Sequence, residues 1–549
     1  MSGNREQPES RRGYFAPAAV FLLSAVTGGW LLQQGADRAE NVYVRVRVLQ
    51  EVVDRVSSSF VDEVDERSLY NSAIDGLISD LGDPHTSLIP ASDYEDLRIR
   101  TEGEYGGVGL EVSDRNGFVT VVSPIPGGPA ERVGVRAGDQ FLEIDGVRVD
   151  TLVTDQAVEL LRGRSGTEVT VTMLRPGVEE PIDFAMERAV IRLRAVPFAL
   201  MLDDDVGYVP LLTVRETSSE EMIAALDSLR KEGMRALVFD LRGNPGGLLD
   251  QGIAVTDLFL ERGQAIVETR GRARDQNDTY RASEPDRYAG LPVVVLVDAA
   301  SASASEIVAG ALQDHDRAVV IGETTFGKGS VQSLFRLTGG DVLRLTTARW
   351  YTPTGRSIHS DAADAVTDPE PALSLSLSGQ AVPPPNVDGR PEYLTDSGRT
   401  VYGGGGITPD LFVAPETLDA SEAEGASRLF PRFGRFSIAL FDFAVEYVQR
   451  HPDLAAGFTV SDAELDALYA ALPTYDATVE RADFDRARRF VRYHLEREIA
   501  LQAWGEVGQF RQSIPYDRQL LRALEILEGV ETPAELLQRV ADAEPDSAF

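Results

Sequence analysis

The apolar positions of residues 38 to 97 recur at alternating steps of three and four, which is the spacing of one face of an α-helix. The first run consists of Val42, Val46, Leu49, Val53, Val56 and Phe60. The second consists of Leu69, Ala73, Ile74, Leu77 and Ile78. Gly82-Asp83-Pro84 ends this second run, since glycine and proline terminate helices. We therefore predict an N-terminal helical region over residues 38–97.

From about residue 102 the pattern changes to short β-branched strands separated by glycine and proline turns. This stretch contains Gly138-Asp-Gln-Phe-Leu-Glu-Ile-Asp-Gly146 and closely resembles a PDZ domain. The resemblance implies a PDZ domain over residues 102–185, with its groove helix at 154–162. Such domains bind an extended peptide by adding it to the edge of a sheet.

The PDZ resemblance also points to candidate peptide-binding residues. Successive backbone N–H groups of Gly107, Val108, Gly109 and Leu110 are expected to hold a terminal carboxylate. The side chains of Val108 and Leu110 either line an apolar pocket or belong to the ordinary core. Arg162, at the end of the groove helix, either senses the substrate or is a solvated cation near the negative end of the helix dipole.

Residues 186–414 alternate strands and helices, which predicts a third, α/β domain. The expected strands are 206–212, 236–240, 292–297 and 318–321, and the expected helices are 218–231, 249–260 and 303–313. Because these strands are almost continuously apolar, the sheet should be covered on both faces. A stretch rich in Pro, Ser, Ala and Asp at about 361–400 reads as a surface insertion. Residues 416–549 are helical and acidic in pattern and carry no functional motif.

An uncharged segment near the N-terminus indicates export. Residues 14–33 are just long enough to span a bilayer, and Arg5, Arg11 and Arg12 precede them. Basic residues before such a segment favour a cytoplasmic N-terminus, here residues 1–13. We expect a signal anchor, with a cleaved signal peptide as the alternative. Either would place the remainder on the outer side of the inner membrane, as a membrane-anchored or a free periplasmic or secreted protein.

Composition narrows the chemistry. The net charge of −35 disfavours nucleic acid as a partner. With no cysteine, the chain has no disulfide, thiolate metal site or cysteine nucleophile. The five histidines show no metal-ligand spacing, and no cofactor is expected.

Lysine is scarce: of 53 basic residues only Lys231 and Lys328 are lysines. Lys328 lies in the glycine-flanked run Gly327-Lys328-Gly329. Unlike a guanidinium group, a lysine amine can lose its proton in a dry pocket and act as a base. A phosphate loop is the competing interpretation of this run, but Gly329 stands where such a loop needs Ser or Thr for Mg²⁺.

A serine-rich turn supplies a possible nucleophile for that base. Ser301, Ser303 and Ser305 follow the predicted strand at 292–297 and open a helix. A serine at such a turn projects at the edge of the sheet, where the N–H groups of the helix start can stabilise an oxyanion. The alternative role is helix capping, although three serines exceed what one cap needs.

Three motifs in order resemble the C-terminal processing (tail-specific) peptidases, which are PDZ-containing serine proteases with a Ser–Lys dyad. They are Asp240-Leu-Arg-Gly-Asn-Pro-Gly246-Gly247, the run around Ser303, and Phe326-Gly-Lys328-Gly-x-x-Gln332. The resemblance covers about residues 38–414. It implies a crotonase-like α/β protease core with an inserted PDZ domain.

The resemblance assigns roles by position. Ser303 would be the nucleophile, Lys328 the base, and Gln332 the residue that orients the lysine amine. The oxyanion hole would combine the N–H of Ala304 with that of a glycine, Gly246 being favoured over Gly247. Burial must then bring the pKa of Lys328 from about 10.4 towards neutrality.

We therefore expect an exported serine endopeptidase that binds protein C-terminal tails and cleaves through an acyl-enzyme. The alternative is a catalytically silent PDZ scaffold. Family resemblance also suggests homodimerisation through the N-terminal helices and the C-terminal region, and adaptor proteins as possible partners.

Overall fold

The computed structural model describes residues 43–543 apart from 116, 177, 204, 361–373, 383–386 and 388. The expected cytoplasmic N-terminus and the segment at 14–33 lie outside this range. Across the described residues, no helix combines the length and apolar character needed to cross a bilayer. The described chain forms two compact units, 43–89 with 334–345, and 90–333 with 346–543.

The first unit holds most of the predicted N-terminal helical region. Its elements are helix α1 (43–59), helix α2 (Glu66–Ser79) and the short strand β1 (Ser87–Ile89). Asp65 caps α2 by accepting a hydrogen bond from the Ser68 N–H at 2.9 Å. The apolar stripe of α1 is only partly buried: Val53 is buried, whereas Val46 and Leu49 are exposed. The helical region is thus interrupted by a strand, and its last helix, α3 (Ala91–Glu102), belongs to the second unit.

The PDZ region is an antiparallel sheet with one long and one short helix. Its elements are β2 (Glu104–Gly107), β3 (Leu110–Arg115), β4 (Phe118–Pro124), α4 (Pro129–Arg132), β5 (Gln140–Ile144), β6 (Val147–Arg148), α5 (Thr154–Leu161), β7 (Glu168–Leu174), β8 (Ile182–Glu187) and β9 (Ala189–Arg192). The larger sheet of the PDZ region has the order β3-β4-β5-β7-β8, and β2 pairs separately with β9. Alternate residues of β7, including Val171 and Met173, fill its core.

The α/β domain follows the predicted alternation closely. Its elements are β10 (Leu200–Met201), β11 (Val206–Pro210), α6 (Ser218–Glu232), β12 (Ala236–Asp240), α7 (Leu249–Asp257), β13 (Ala265–Gly271), β14 (Asp278–Arg281), β15 (Val293–Val297), α8 (Ala304–Asp314), β16 (Val319–Gly322), β17 (Ser330–Arg336) and β18 (Val342–Tyr351). The long strand β18 pairs with β1 through residues 342–344 and with β13 through residues 348–351.

The insertion and the C-terminal region complete the chain. The insertion holds β19 (Ser374–Leu375), β20 (Ala381–Val382), β21 (Glu392–Leu394) and β22 (Thr400–Tyr402). After it, β23 (Leu411–Phe412) pairs in parallel with β16 of the α/β domain. The C-terminal helices are α9 (Ala420–Leu429), α10 (Phe433–Arg450), α11 (Asp462–Ala471), α12 (Arg481–Arg486), α13 (Arg488–Ser513), α14 (Arg518–Leu527) and α15 (Pro533–Ala541).

The main sheet, of order β10-β11-β12-β15-β16-β23, is buried on both faces. Leu237 and Phe239 of β12 pack in one cluster with side chains of α6, α7 and α8. Val238, between them, packs in a second cluster with Leu520 and Ile526 of α14. Helices α14 and α15 therefore form the third layer of the protease core. Because β11, β12, β15 and β16 are parallel, their carboxyl ends meet at one edge of this sheet.

Candidate active site

Ser303 occupies the turn between β15 and α8, at that carboxyl edge. Its φ is +57°, a backbone region that non-glycine residues enter rarely and at an energetic cost. The residues on either side of it, Ala302 and Ala304, are buried, whereas Ser303 is only half-buried. The turn therefore holds one hydroxyl group towards the surface on a rigid, strained backbone.

The three serines of this turn have different environments. Ser301 Oγ donates to the Leu241 carbonyl at 2.9 Å, and Ser305 Oγ donates to the Asn244 carbonyl at 2.8 Å. In contrast, Ser303 Oγ makes no hydrogen bond to any residue that the structure describes, and it does not cap α8. The two outer hydroxyl groups therefore hold the turn, and the middle one takes no part in this.

Glu306, for which the sequence predicted no role, links the turn that carries Ser303 (the serine turn, 298–303) to the loop that carries Lys328 (the lysine loop, 325–329). One carboxylate oxygen, Oε2, accepts from the backbone N–H of Ser303 at 2.8 Å and from that of Lys328 at 2.9 Å. The other oxygen, Oε1, accepts from the Thr325 hydroxyl at 2.5 Å and from the Gly327 N–H at 2.7 Å. This one buried carboxylate thus fixes the backbones of both proposed dyad residues.

Burial governs the ionisation of Glu306. The side chain is fully buried, and this raises its pKa to about 7, although the four donors oppose the shift. A sequence signal for this residue exists, because Ser303-x-x-Glu306 has the spacing of a capping box. Only the glutamate half of that box forms, from the Glu306 side chain to the Ser303 N–H.

Lys328 is held by its main chain between two close-packed glycines. A Cβ on Gly327 would lie 2.9 Å from the Gly406 nitrogen, and one on Gly329 would lie 2.9 Å from the His359 Cβ. The Lys328 carbonyl accepts from the indole N–H of Trp350 at 3.0 Å. Gln332 lies on β17, and its Nε2 donates to Ser330 Oγ at 2.9 Å.

The glycine turn after β12 lies directly against the serine turn. A Cβ on Gly246 would come within 2.8 Å of both the Ala304 nitrogen and the Ser303 Cβ, so only glycine fits there. The N–H of Gly246 is already donated to Asn244 Oδ1 at 2.8 Å. The N–H groups of Gly247 and Ala304 have no acceptor among the described residues. The two glycines that the sequence left as alternatives thus differ in the hydrogen bonding of their N–H groups.

The predicted PDZ residues fall into two groups. The side chain of Val108 is 2% exposed and belongs to the core of the domain, so the core interpretation replaces the pocket interpretation for this residue. Leu110 is half-buried at the start of β3, Gly109 has a φ of +73°, and Gly107 ends β2. The backbone from Gly107 to Leu110 thus connects two strands of different sheets, beside helix α5.

The Arg162 side chain is 36% exposed and bonds beyond its own helix end. Its guanidinium donates to Asp96 of α3 at 2.7 Å and lies 5.7 Å from the ring centre of Tyr105. The groove helix of the PDZ domain is therefore joined by its C-cap residue to the helix that precedes the domain.

Comparison with known proteins identifies the family. Residues 205–367 match "Peptidase family S41", and residues 120–175 match a PDZ domain. A carboxy-terminal-processing protease of Bartonella bacilliformis is 40% identical over 354 residues, which are 63% of this chain and 80% of that protein. This chain belongs to peptidase family S41.

Other relatives agree with that assignment. The carboxy-terminal processing protease CtpA of Bacillus subtilis is 34% identical over 62% of this chain and 72% of its own length. A solved structure, the photosystem II D1 C-terminal processing protease, is 30% identical over 57% of this chain and 89% of that chain, with a TM-score of 0.33. The S41 assignment rests on the sequence relatives, and it confirms the predicted α/β protease core with a PDZ domain. The chain therefore combines an S41 peptidase with a PDZ domain, and the two relatives named here are carboxy-terminal processing proteases.

Proposed function

We propose that Ser303 is the nucleophile and Lys328 the general base of this protease. The neutral Lys328 amine takes the proton of the Ser303 hydroxyl as Oγ attacks the scissile carbonyl carbon. The resulting lysine ammonium gives that proton to the leaving amine, and the acyl-enzyme forms. Water then attacks the ester, the lysine accepts its proton, and the serine is regenerated.

One observation carries this assignment: the Glu306 carboxylate bonds both the Ser303 and the Lys328 backbone N–H groups. The backbones of two residues from different loops are thereby held at the same oxygen of one buried carboxylate. The free hydroxyl of Ser303, beside two serines that bond to the backbone, supports the choice of nucleophile. Gln332 is proposed to orient the lysine through its side-chain carbonyl oxygen, since its Nε2 donates to Ser330 Oγ.

The oxyanion hole is proposed to consist of the N–H groups of Ala304 and Gly247. Both lack an internal acceptor among the described residues, and Ala304 starts α8, where the helix dipole favours negative charge. This changes the expectation from the sequence, which favoured Gly246. The Gly246 N–H is committed to Asn244, and the role of this glycine is to allow the two turns to touch.

The dyad is tested by cleavage of an unfolded protein substrate with a free apolar C-terminus. Ser303→Ala and Lys328→Arg should both lose cleavage, because arginine keeps the charge but cannot serve as a base. Lys231→Arg is the matched control, since Lys231 is the chain's other lysine and lies exposed at the end of α6. It should cut as fast as the parent. Cleavage by Ser303→Ala or Lys328→Arg at the parent rate would show that the dyad is assigned to the wrong residues.

The substrates are proposed to be proteins recognised by a free C-terminal tail. The 107–110 backbone, next to α5 and to the start of β3, is the proposed site for the tail carboxylate. Peptides that differ only in a free or an amidated C-terminus separate the possibilities. The free acid should bind the PDZ region more tightly, and equal binding of the two peptides would contradict carboxylate recognition.

The chain is also proposed to act outside the cytoplasm, anchored at the periplasmic face of the inner membrane. The support is the uncharged sequence 14–33 after three arginines. Protease added to intact spheroplasts should digest the protein if it is exported. N-terminal sequencing of the mature protein distinguishes an uncleaved anchor from a removed signal peptide, and full protection inside intact spheroplasts would refute export.

A further inference from the structure

A largely buried arginine, whose side chain is 19% exposed, lies at the carboxyl edge of the main sheet and connects the glycine turn to helix α14. Arg242 follows β12, and its guanidinium lies between two carboxylates. It contacts Asp240 at 2.6 Å and forms a two-pronged pair with Asp517, in which both N···O distances are 2.8 Å. Burial alone would lower the pKa of Arg242, but Asp240 and Asp517 raise it well above the ordinary value. The arginine is therefore a permanent, fixed cation.

The partner residues come from the start of α14. Asp517 is the N-cap of this helix and also accepts from the Leu520 N–H at 3.0 Å. Gln519 is buried, accepts from Arg242 Nη1 at 3.0 Å through Oε1, and donates to the Val413 carbonyl at 2.9 Å. The first turn of α14 thus presents one charged and one neutral acceptor to the same guanidinium group.

The backbone groups on both sides of Arg242 are hydrogen-bonded to the turn that carries Ser303. The carbonyl of Leu241 accepts from Ser301 Oγ, and the N–H of Gly243 donates to Asp298 Oδ1 at 2.9 Å. The Asn244 carbonyl accepts from the Ala302 N–H at 2.9 Å. Every residue from 241 to 244 other than Arg242 is therefore bonded to the serine turn. Arg242 itself is anchored to α14 by its side chain.

We propose that Asp517 and Gln519 are positioning residues for the oxyanion-forming turn at 243–247. By fixing the Arg242 side chain, they set where the Gly247 N–H and the Gly246 backbone stand relative to Ser303. Neither residue touches the substrate. The inference rests on the proposed function, and it gives the C-terminal helices a part in the geometry of the reaction.

The test compares two aspartates in similar ion pairs. Asp286 pairs with Arg317 at 2.7 Å, and its side chain is 6% exposed, against 18% for Asp517. Each aspartate also accepts one backbone N–H, from Tyr288 and from Leu520 respectively. Asp286→Asn therefore reproduces the loss of a buried pair without touching the glycine turn.

Cleavage by the full chain is measured at substrate concentrations that separate kcat from KM, and rates are normalised to the folded fraction from urea unfolding curves. Both variants should lose stability. Only Asp517→Asn should lower kcat, by about 10- to 100-fold with little change in KM, because a misplaced catalytic group costs rate and not substrate affinity. Asp286→Asn should keep the parent kcat per folded molecule.

A second variant covers the case in which Asp517→Asn does not fold. Gln519→Met preserves the side-chain length and removes the neutral acceptor of Arg242, and its kcat should also fall at constant KM. If Asp517→Asn or Gln519→Met folds and has the same kcat as the parent protein, the positioning role is overturned. The proposal for Ser303 and Lys328 would remain intact. A parent protein that cuts no tailed substrate would instead refute the proposed function and this inference with it.

Discussion

Replacing Glu306 by glutamine tests the carboxylate that holds both proposed dyad residues. Glutamine keeps the shape of the side chain but turns one acceptor oxygen into an NH₂ donor. The least costly orientation keeps the amide oxygen on the Ser303 and Lys328 side. The NH₂ then faces the Thr325 hydroxyl, which can rotate to accept, and the Gly327 N–H, which cannot.

The expected loss follows from that one orphaned group. A buried N–H left without an acceptor costs about 1–3 kcal/mol. Loss of the negative charge adds little at neutral pH, because burial raises the pKa of Glu306 to about 7 and the carboxylate is only partly ionised there. We therefore expect Glu306→Gln to lower the free energy of unfolding by about 1–3 kcal/mol. The lysine loop, released at Gly327, should shift enough to lower the cleavage rate by about 100-fold.

The assay combines urea unfolding at pH 7 with cleavage of a tailed substrate, normalised to the folded fraction. Glu496→Gln is the matched control, because Glu496 is 2% exposed and accepts the Val460 N–H at 2.9 Å in the C-terminal region. That variant should lose stability and keep its rate. If Glu306→Gln unfolds at the parent urea concentration and cuts at the parent rate, the carboxylate does not position the dyad.

Two further predictions concern the edge of the sheet. Gly246→Ala should abolish most cleavage, since its methyl group would lie 2.6 Å from the Ala302 carbonyl oxygen. Gly243→Ala is the control and should retain the parent cleavage rate, because Gly243 also has a positive φ but a Cβ there would have no atom within 4 Å. Similar cleavage rates for the two variants would contradict the close approach of the turns. Burial, together with the charge of Asp298, raises the pKa of Glu323 to about 7, whereas its pKa in the unfolded chain is about 4.3. The contribution of Glu323 to the free energy of unfolding is therefore complete below pH 4 and is lost as the pH rises through 7. The urea midpoint should therefore fall less steeply between pH 5 and pH 8 in Glu323→Gln than in the parent, and parallel curves would refute the shift.

Strands and helices of the protease core could be read from the sequence because their patterns are local. The prediction of a strand at 236–240 coincides with β12, and the helix expected at 303–313 differs from α8 by one residue at each end. Local patterning also placed a serine at a strand-to-helix turn. It could not tell a structural hydroxyl from a free one, since that depends on the carbonyls of Leu241 and Asn244 from another strand end.

The contacts that were missed join residues distant in sequence. Glu306 has a local signal in its spacing from Ser303, but its bonds to Gly327 and Lys328 depend on the fold. Asp517 has no signal at all, because an aspartate before a helix is an ordinary N-cap. Val108 was ambiguous for the opposite reason: an apolar residue in a strand pattern reads equally well as core or as pocket, and only burial decides.

The position of helix α14 near the end of the chain affects when the protein can become active during folding. Its apolar side chains cover Val238, Val294 and Leu296, which lie on a sheet completed much earlier in the chain. Until α14 has folded onto it, that sheet face lacks this cover, and Arg242 lacks the Asp517 carboxylate. A nascent chain therefore carries every atom of the proposed dyad before it can use them. Under the positioning role proposed for Asp517 and Gln519, cleavage activity should therefore appear only after α14 has folded onto the sheet.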